Sequence, residues 1–323
     1  IKSVAPSIKQ GAIYRDLSNK LIDKHVLKRR EQNGLKPFDR KDGFQAPIKH
    51  LNEGGGLGIL VDQNAGYKGI WCPLFGKLAS TSNLAPLMAK KTDATMYPYF
   101  VSTLKPAKWK ITVRKPLLVD KGEKISKTTA RMNLEVEKMI RSSPEDWFWL
   151  HNRWKVPKTN FLTYYHKRSY YIPNDFDRET LKKFKILLLA PSTEEKCQLS
   201  MGAIKKIAEG RPDTEITILC DSELSSLWNS QENHFKIIEK CHLGWSKDLS
   251  EKITDSVFDA AVLFQKSKKD AKKIKQCGIP HVAGCSSNEC NKFLDHVIKN
   301  DYIEESSDHY LKIAESIGAE KTL

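Results

Sequence analysis

The sequence predicts a two-domain α/β protein, a mixed α/β first half followed by a Rossmann-like parallel α/β lobe. Three observations predict it. From residue 185 onward, short strands rich in Ile, Leu and Val alternate with helical segments, the pattern of a parallel sheet with helices on both faces. A connector rich in Tyr, Pro and charge, KVPKTNFLTYYHKRSYYIPNDFDRETLKKF, separates this alternation from a first half of different character. At 323 residues the chain is long enough for two cores. The expected divisions are 1–158, a linker over 159–184, and 185–323.

In the first half a helix is expected from about Asn19 to Glu31, where Leu21, Ile22, Val26 and Leu27 fall at helical spacing. A second runs from Asp42 to Leu51 and stops at the glycine cluster GGGLG. GILVD, ending at Asp62, reads as a buried strand. A helix follows over Ser82 to Lys91, then the strand TMYPYFV and an alternating strand in KWKITVRKPLLV. Thr128 to Arg141 is helical again, and Ser-Pro-Glu-Asp from Ser143 is a good helix start, with acids in its first turn. In the second half KILLLAP, EITILC, FKIIEK and DAAVLF are strands and Met201 to Glu209 a helix. The phosphate fingerprint GxGxxG after the first strand of such a lobe is absent, and no cofactor is expected.

Charge is unevenly placed. Residues 1–158 carry 30 Lys+Arg against 14 Asp+Glu, a net of +16, whereas residues 159–323 carry 24 against 25. Such asymmetry points to an anionic partner for the first half, with plain solubility as the alternative. No apolar run approaches the length of a bilayer span. Seven cysteines without a CxxC pair argue for free thiols in a reducing compartment and against a structural metal, Cys285 and Cys290 included. The chain begins at Ile1 without a signal-peptide pattern, so an upstream piece is expected.

The candidate chemistry gathers in GILVDQNAGYKGIWCPLFGKLAS. Asp62 stands at the end of the expected strand, where α/β folds place their sites. Gly66 and Gly69 permit close backbone approach, and Trp71, Pro73, Leu74 and Phe75 suit an apolar slot. An Asp that merely caps its own turn remains open. In SSPEDWFWLHNRWK, tryptophans lie among His151, Arg153 and Lys155, fitting either a lipid-facing groove or a core-packing helix with a basic face. The connector's basic and tyrosine residues could hold single-stranded nucleic acid, or pack as a linker.

AIYRDLSNKLIDKHVLKRREQNGL, DRKD, ILVDQNAGYKGIWCPLFGKLAST and SPEDWFWLHNRWK, in order across about Gly11 to Pro157, resemble the late acyltransferases of lipid A biosynthesis, the lauroyl/myristoyl type. The resemblance implies an acyltransferase-type mixed α/β sandwich. It also implies transfer of a fatty acyl chain from acyl carrier protein to a hydroxyl of a lipid A precursor, at the cytoplasmic face of the inner membrane. The +16 half then meets an acidic carrier, a phosphorylated glycolipid and an anionic membrane surface. Arg30, with Gly34, fits the family's R-x-x-x-G and would hold a phosphate or the charge developing on the thioester carbonyl. Asp62 matches the functional Asp of DQ, so that Asp62 and Arg30 are the implied catalytic residues. Arg15, Arg40, Gln63, Gly66, Trp71 and Phe75 are the expected substrate-binding set.

Acyl transfer to a hydroxyl needs a general base, which the family supplies with a His-x-x-x-x-Asp/Glu pair upstream of YR. His25 and His50 have Arg30 and Gly55 at that spacing. The formal matches His234 with Glu239 and His296 with Asp301 lie outside the resemblance, so the dyad is expected to be absent from this chain. Residues 185 to about 318 resemble the N-terminal lobe of family 9 glycosyltransferases, the heptosyltransferase type. Where that family has Gly-Asp after its first strand, this chain has Glu195 and Lys196, with Glu194 or Glu195 as a substitute acid after a small shift. The second lobe, which binds the nucleotide sugar, would begin about where the chain stops. The expected function is thus an O-acyltransferase fused to a glycosyltransferase-like lobe. The alternative is a glycosyltransferase with a lipid-docking module. A nucleic-acid binder ranks last, and no nucleic acid is expected among the partners.

Overall fold

The computed structural model describes residues 7–157, 159–162, 170–229, 235–241, 244–299 and 305–320. The chain forms two compact units. The first comprises residues 1–75, 79–155 and 170–176, and the second 76–78, 156–169 and 177–323. Residues from the segment expected as a linker fall in both units. Tyr170 bridges to Trp71 and Tyr171 N–H donates to the Trp71 carbonyl in the first unit. Leu162 N–H donates to Ile317 O in the second.

The first unit opens with a β-α-β turn of chain: β1 (Gln10–Tyr14), α1 (Lys20–Gln32) and β2 (Leu35–Asp39). Asn19 caps α1, its side chain accepting from Leu21 and Ile22 N–H. Next come α2 (Gln45–Asn52) and β3 (Gly56–Gly58), and the three strands form a parallel sheet in the order β2-β1-β3. The expected strand GILVD is thereby corrected. The paired strand is Gly56–Gly58, within the glycine cluster, and residues 59–63 run on past the sheet. A Cβ on Gly55, just before β3, would lie 2.4 Å from the buried His50 ring, and one on Gly11, in β1 beside it, 2.6 Å from Phe38. Only glycine lets the strands come this close over those rings.

β4 (Ile70–Leu74) and β5 (Lys77–Thr81) pair across a two-residue turn in which Phe75 and Gly76 both take positive φ, the primed-turn geometry of a tight hairpin. α3 (Leu84–Thr92), the antiparallel pair β6 (Tyr99–Lys105) and β7 (Lys108–Val113), and the long α4 (Ile125–Ser142) complete the regular elements. The helix expected at Pro144 is a single 3-10 turn, Pro144–Asp146. Asp146 accepts from Thr103 N–H and Ser143 Oγ, and the following indoles donate to groups elsewhere in the unit, which holds 147–155 in an irregular path.

The second unit is doubly wound. Its elements are β8 (Phe184–Leu189), α5 (Glu194–Glu209), β9 (Thr214–Asp221), α6 (Ser225–Asn229), β10 (Lys236–Lys240), α7 (Lys247–Asp255), β11 (Ala260–Leu263), α8 (Lys268–Gln276), β12 (Val282–Cys285), β13 (His296–Ile298) and α9 (Ser307–Ser316). The sheet is parallel throughout, in the order β10-β9-β8-β11-β12-β13, so the topological switch falls between β8 and β11. β8 and β11 are buried almost along their whole length, as continuous apolar runs must be in a sheet covered on both faces. Among the described residues no helix is long and apolar enough to cross a membrane.

Candidate active site

An apolar cavity of about 630 Å³ lies within the first unit. Its walls come from α3 (Met88, Ala89), α4 (Met132, Val136, Ile140), the start of β6 and the stretch Leu57 to Asp62 that leaves the parallel sheet. A volume of this size with aliphatic walls suits a hydrocarbon or drug-sized ligand. Asp62 and Asp146 are the only carboxylates among the described lining residues, and no lysine, arginine or histidine lines it.

The two carboxylates differ in what they are free to do. Asp146 is committed to its own loop. Hydrogen bonds from Ser143 Oγ (2.6 Å) and Thr103 N–H (2.9 Å) hold its pKa below the ordinary carboxylate value. Asp62 accepts a single bond on Oδ2, from Trp147 Nε1 at 3.2 Å, and its Oδ1 has no hydrogen-bond partner among the described residues. Half-buried on an apolar wall, Asp62 therefore keeps one acceptor open toward a ligand.

The loop after Asp62 is fastened by the tryptophan-rich segment. Asn64 N–H donates to His151 Nε2 (2.9 Å), and Asn64 Nδ2 donates to the carbonyls of Arg153 (3.0 Å) and Lys155 (3.2 Å). Asn64 Oδ1 accepts from Gly66 N–H, closing a turn in which Gly66 has φ +60°. A Cβ on Gly69 would lie 2.1 Å from Ser80 Oγ, so that position admits only glycine. Beneath the loop Arg153 is wholly buried, donating to Ser80 O, Thr81 Oγ1 (2.8 Å) and Asn133 Oδ1 (3.2 Å). No carboxylate lies within ion-pair distance of it among the described residues. Burial lowers its pKa, opposed by Cys72 and Asp62.

Of the residues predicted from sequence, Asp62 alone lines the cavity. Arg15 and Arg40 directly follow β1 and β2, on the same carboxyl end of the sheet from which the Asp62 stretch emerges, and both are exposed. Arg30 is also exposed, but it lies in the last turn of α1. That helix runs back toward the start of β2, placing Arg30 at the opposite, amino end of the sheet. Gln63 is exposed, Gly66 shapes the turn, and Trp71 is fully buried. Phase and position both take Phe75 away from the lining. It packs against Trp147, Trp149 and Trp154 at ring distances of 6.2–6.3 Å, with the Arg141 guanidinium 4.8 Å above its ring. Sequence reasoning missed Asn64, Arg153 and the Trp147 bond. Their one signal was that the two motifs, 85 residues apart, each carry polar groups inside apolar runs.

In the second unit, Glu194, Glu195 and Lys196 form the first turn of α5 beside the switch point. Lys196 is ion-paired to Glu305 at 3.2 Å. His234 and Asp301, halves of the two formal dyads, lie outside the described residues. Among the described residues no cluster of three or more His, Cys, Asp or Glu could hold a metal ion.

Known proteins similar to the chain were found by sequence and by structure. Residues 4–156 match the profile described as bacterial lipid A biosynthesis acyltransferase. The lipid A biosynthesis lauroyltransferase of Escherichia coli (strain K12) is 31% identical over 148 residues, which cover 45% of this chain and 48% of that protein. The chain thus spans about half the length of this curated relative. Among solved structures, E. coli ADP-heptose LPS heptosyltransferase II aligns at TM-score 0.37 and 20% identity, covering 42% of this chain and 41% of that one. A glycosyltransferase family 9 protein from Veillonella parvula DSM 2008 aligns at TM-score 0.37 and 14% identity, covering 43% and 42%. The doubly wound architecture of the second unit rests on its own strand order, and over residues 4–156 the chain matches the bacterial lipid A biosynthesis acyltransferase family.

Proposed function

We propose that the protein is an O-acyltransferase of lipid A assembly, taking a fatty acyl chain from acyl carrier protein and delivering it to a hydroxyl of a lipid A precursor. The observation that carries this reading is the apolar cavity with Asp62 on its wall and Oδ1 unengaged. The acyl tail occupies the cavity and leaves the thioester at its mouth. The acceptor oxygen bonds to the carbonyl carbon, the C–S bond breaks, and the departing thiolate takes up the hydroxyl proton. Asp62 orients the acceptor or the carrier's polar arm through Oδ1, and Trp147 fixes its direction. The described cavity lining holds no histidine, so the general-base pair comes from outside that lining. Arg15 and Arg40, on the same sheet end, attract the phosphates of the glycolipid, whereas Arg30 would contact a carrier or membrane rather than the thioester. The work takes place at the cytoplasmic face of the inner membrane.

One observation favours a second reading. The parallel sheet of the second unit has its switch point between β8 and β11, the crevice where such sheets bind ligands. A fused sugar-transferring lobe acting on the same glycolipid would gain from raised effective concentration. Both readings are tested by incubating the full-length gene product with a lipid A precursor and either fatty-acylated acyl carrier protein or a nucleotide sugar, and weighing the product by mass spectrometry. Acyl transfer predicts a fatty-acyl mass increment, and a rate lowered about 100-fold or more by Asp62→Asn. A sugar increment without acylation would reassign the first unit to lipid docking, and unaltered acylation by Asp62→Asn would remove that residue from the site.

A further inference from the structure

The β6–β7 hairpin is poorly accounted for by the fold. It pairs with no other sheet, and an isolated two-stranded ribbon gains little stability in water. Its register places Tyr99, Val101 and Thr103 opposite Val113, Ile111 and Trp109. Directly opposed residues share a face, so one side of the ribbon is a nearly continuous aromatic and aliphatic strip. That strip is bare, with Trp109 64% exposed, Val113 48% and Val101 47%, and Leu104 at the tip 65%. Tyr99 and Val101 also line the cavity, so the strip begins at the cavity itself.

The charge carried by the hairpin segment itself has one sign, although Asp146 meets Thr103 N–H and Glu135 meets Arg114 from outside it. Residues 97–118 contain Lys105, Lys108, Lys110, Arg114 and Lys115 and no acid. Arg114 is paired to Glu135, but the four lysines are exposed and have no ion-pair partner among the described residues. A soluble protein surface rarely combines a contiguous apolar strip with unpaired cations unless both meet a partner. Aromatic bodies flanked by lysines match the headgroup layer of an anionic bilayer, where rings enter the boundary region and ammonium groups reach the phosphates.

We propose that the β6–β7 hairpin docks the protein on an anionic lipid bilayer, with Trp109 and Leu104 entering the interface and Lys105 and Lys108, paired at the tip, meeting lipid phosphates. This placement goes beyond acyl transfer and does not depend on it. It sets the cavity wall at Tyr99 and Val101 against the lipid, giving a hydrocarbon chain a route that avoids water.

The test is flotation of the full chain with vesicles of phosphatidylcholine alone and of phosphatidylcholine mixed with phosphatidylglycerol. Binding is expected only to the mixed vesicles, weakened about fivefold for each of Lys105→Gln and Lys108→Gln. Trp109→Ala should weaken it further, and Lys→Arg changes at the same positions should keep it. A fluorescent fatty-acid probe should enter the cavity of every variant as in the parent, which checks folding and separates this docking from the acyl-binding reading. Equal binding to neutral vesicles, no binding to either, or variants that float like the parent would overturn the proposal. A change in oligomeric mass with flotation unchanged would assign the strip to a protein partner instead.

Discussion

Asp62 and Arg153 solve opposite electrostatic problems within a few residues of the same loop. Asp62 keeps one oxygen tethered and the other open, so its direction is set while its acceptor capacity remains. Trp147→Phe conserves the ring and removes the donor. It should lower the acylation rate about tenfold, the worth of one hydrogen bond to a charged group, while fatty-acid binding to the cavity is unchanged. Loss of binding instead would mean that Trp147 acts as wall rather than as tether. Arg153 uses its fork on Ser80 O, Thr81 Oγ1 and Asn133 Oδ1, three acceptors that no water reaches. Arg153→Met should cost about 3 kcal/mol in denaturant unfolding, because Asn133 Oδ1 loses the Arg153 donor in the interior and Ser80 O and Thr81 Oγ1 keep only Ala65 N–H and Cys72 Sγ. Arg153→Lys should fare nearly as badly, since a single ammonium cannot span the fork. A stable Lys variant would show that the charge, not its geometry, is what the loop requires.

Elements with a strong period were legible, and those built from glycine or side-chain ties were not. α1 and α4 stand within a few residues of their expected spans, α1 started by its Asn19 cap and α4, which has no side-chain cap, by its apolar spacing. The run ILV after Gly58 looks more like a strand than GLG does, yet the pairing falls on Gly56–Gly58, where β3 runs beside Gly11 of β1, a position at which any Cβ would meet Phe38. β1 and β2 escaped notice because QGAIY and LKPFD show neither alternation nor a continuous apolar run. The expected helix after Pro144 failed for a different reason, as its indoles and acids find partners outside any helix. At the start of α4, Glu123 offers a test of such ties. Burial tends to raise its pKa, but Thr128, Lys127 and Arg131 outweigh that, and the net value lies below the ordinary 4.5. A depressed folded pKa means stability that is present above 4.5 and lost as pH falls through the folded value. Glu123→Gln should therefore destabilise by about 1–3 kcal/mol at neutral pH. Unfolding curves at successively lower pH should show the gap closing below 4.5, and a gap independent of pH would assign the loss to packing.

For the molecule as a whole, charge and order of elements were the most readable features, and site geometry the least. Alternating apolar runs foretold the parallel sheet of the second unit. They could not foretell that α1 carries Arg30 to the far end of the first unit's sheet, because direction along a strand is a property of topology and not of spacing. The net of +16 in residues 1–158, against 24 cations and 25 acids in 159–323, remains the broadest statement about partners. An acidic carrier protein approaching the full chain feels a field from the first half that the second half does not supply. Chemical cross-linking to acyl carrier protein, with peptides read by mass spectrometry, should place the links on lysines of residues 1–158, although the second half has ample lysines to react. Raising salt well above physiological strength should suppress those links, as the Debye length then falls to a few ångströms. Links spread in proportion to lysine number, or insensitive to salt, would mean that the carrier is not recognised through this charge. The excess cations would then be left to the lipid surface, and the hairpin variants should reduce flotation without changing the cross-links.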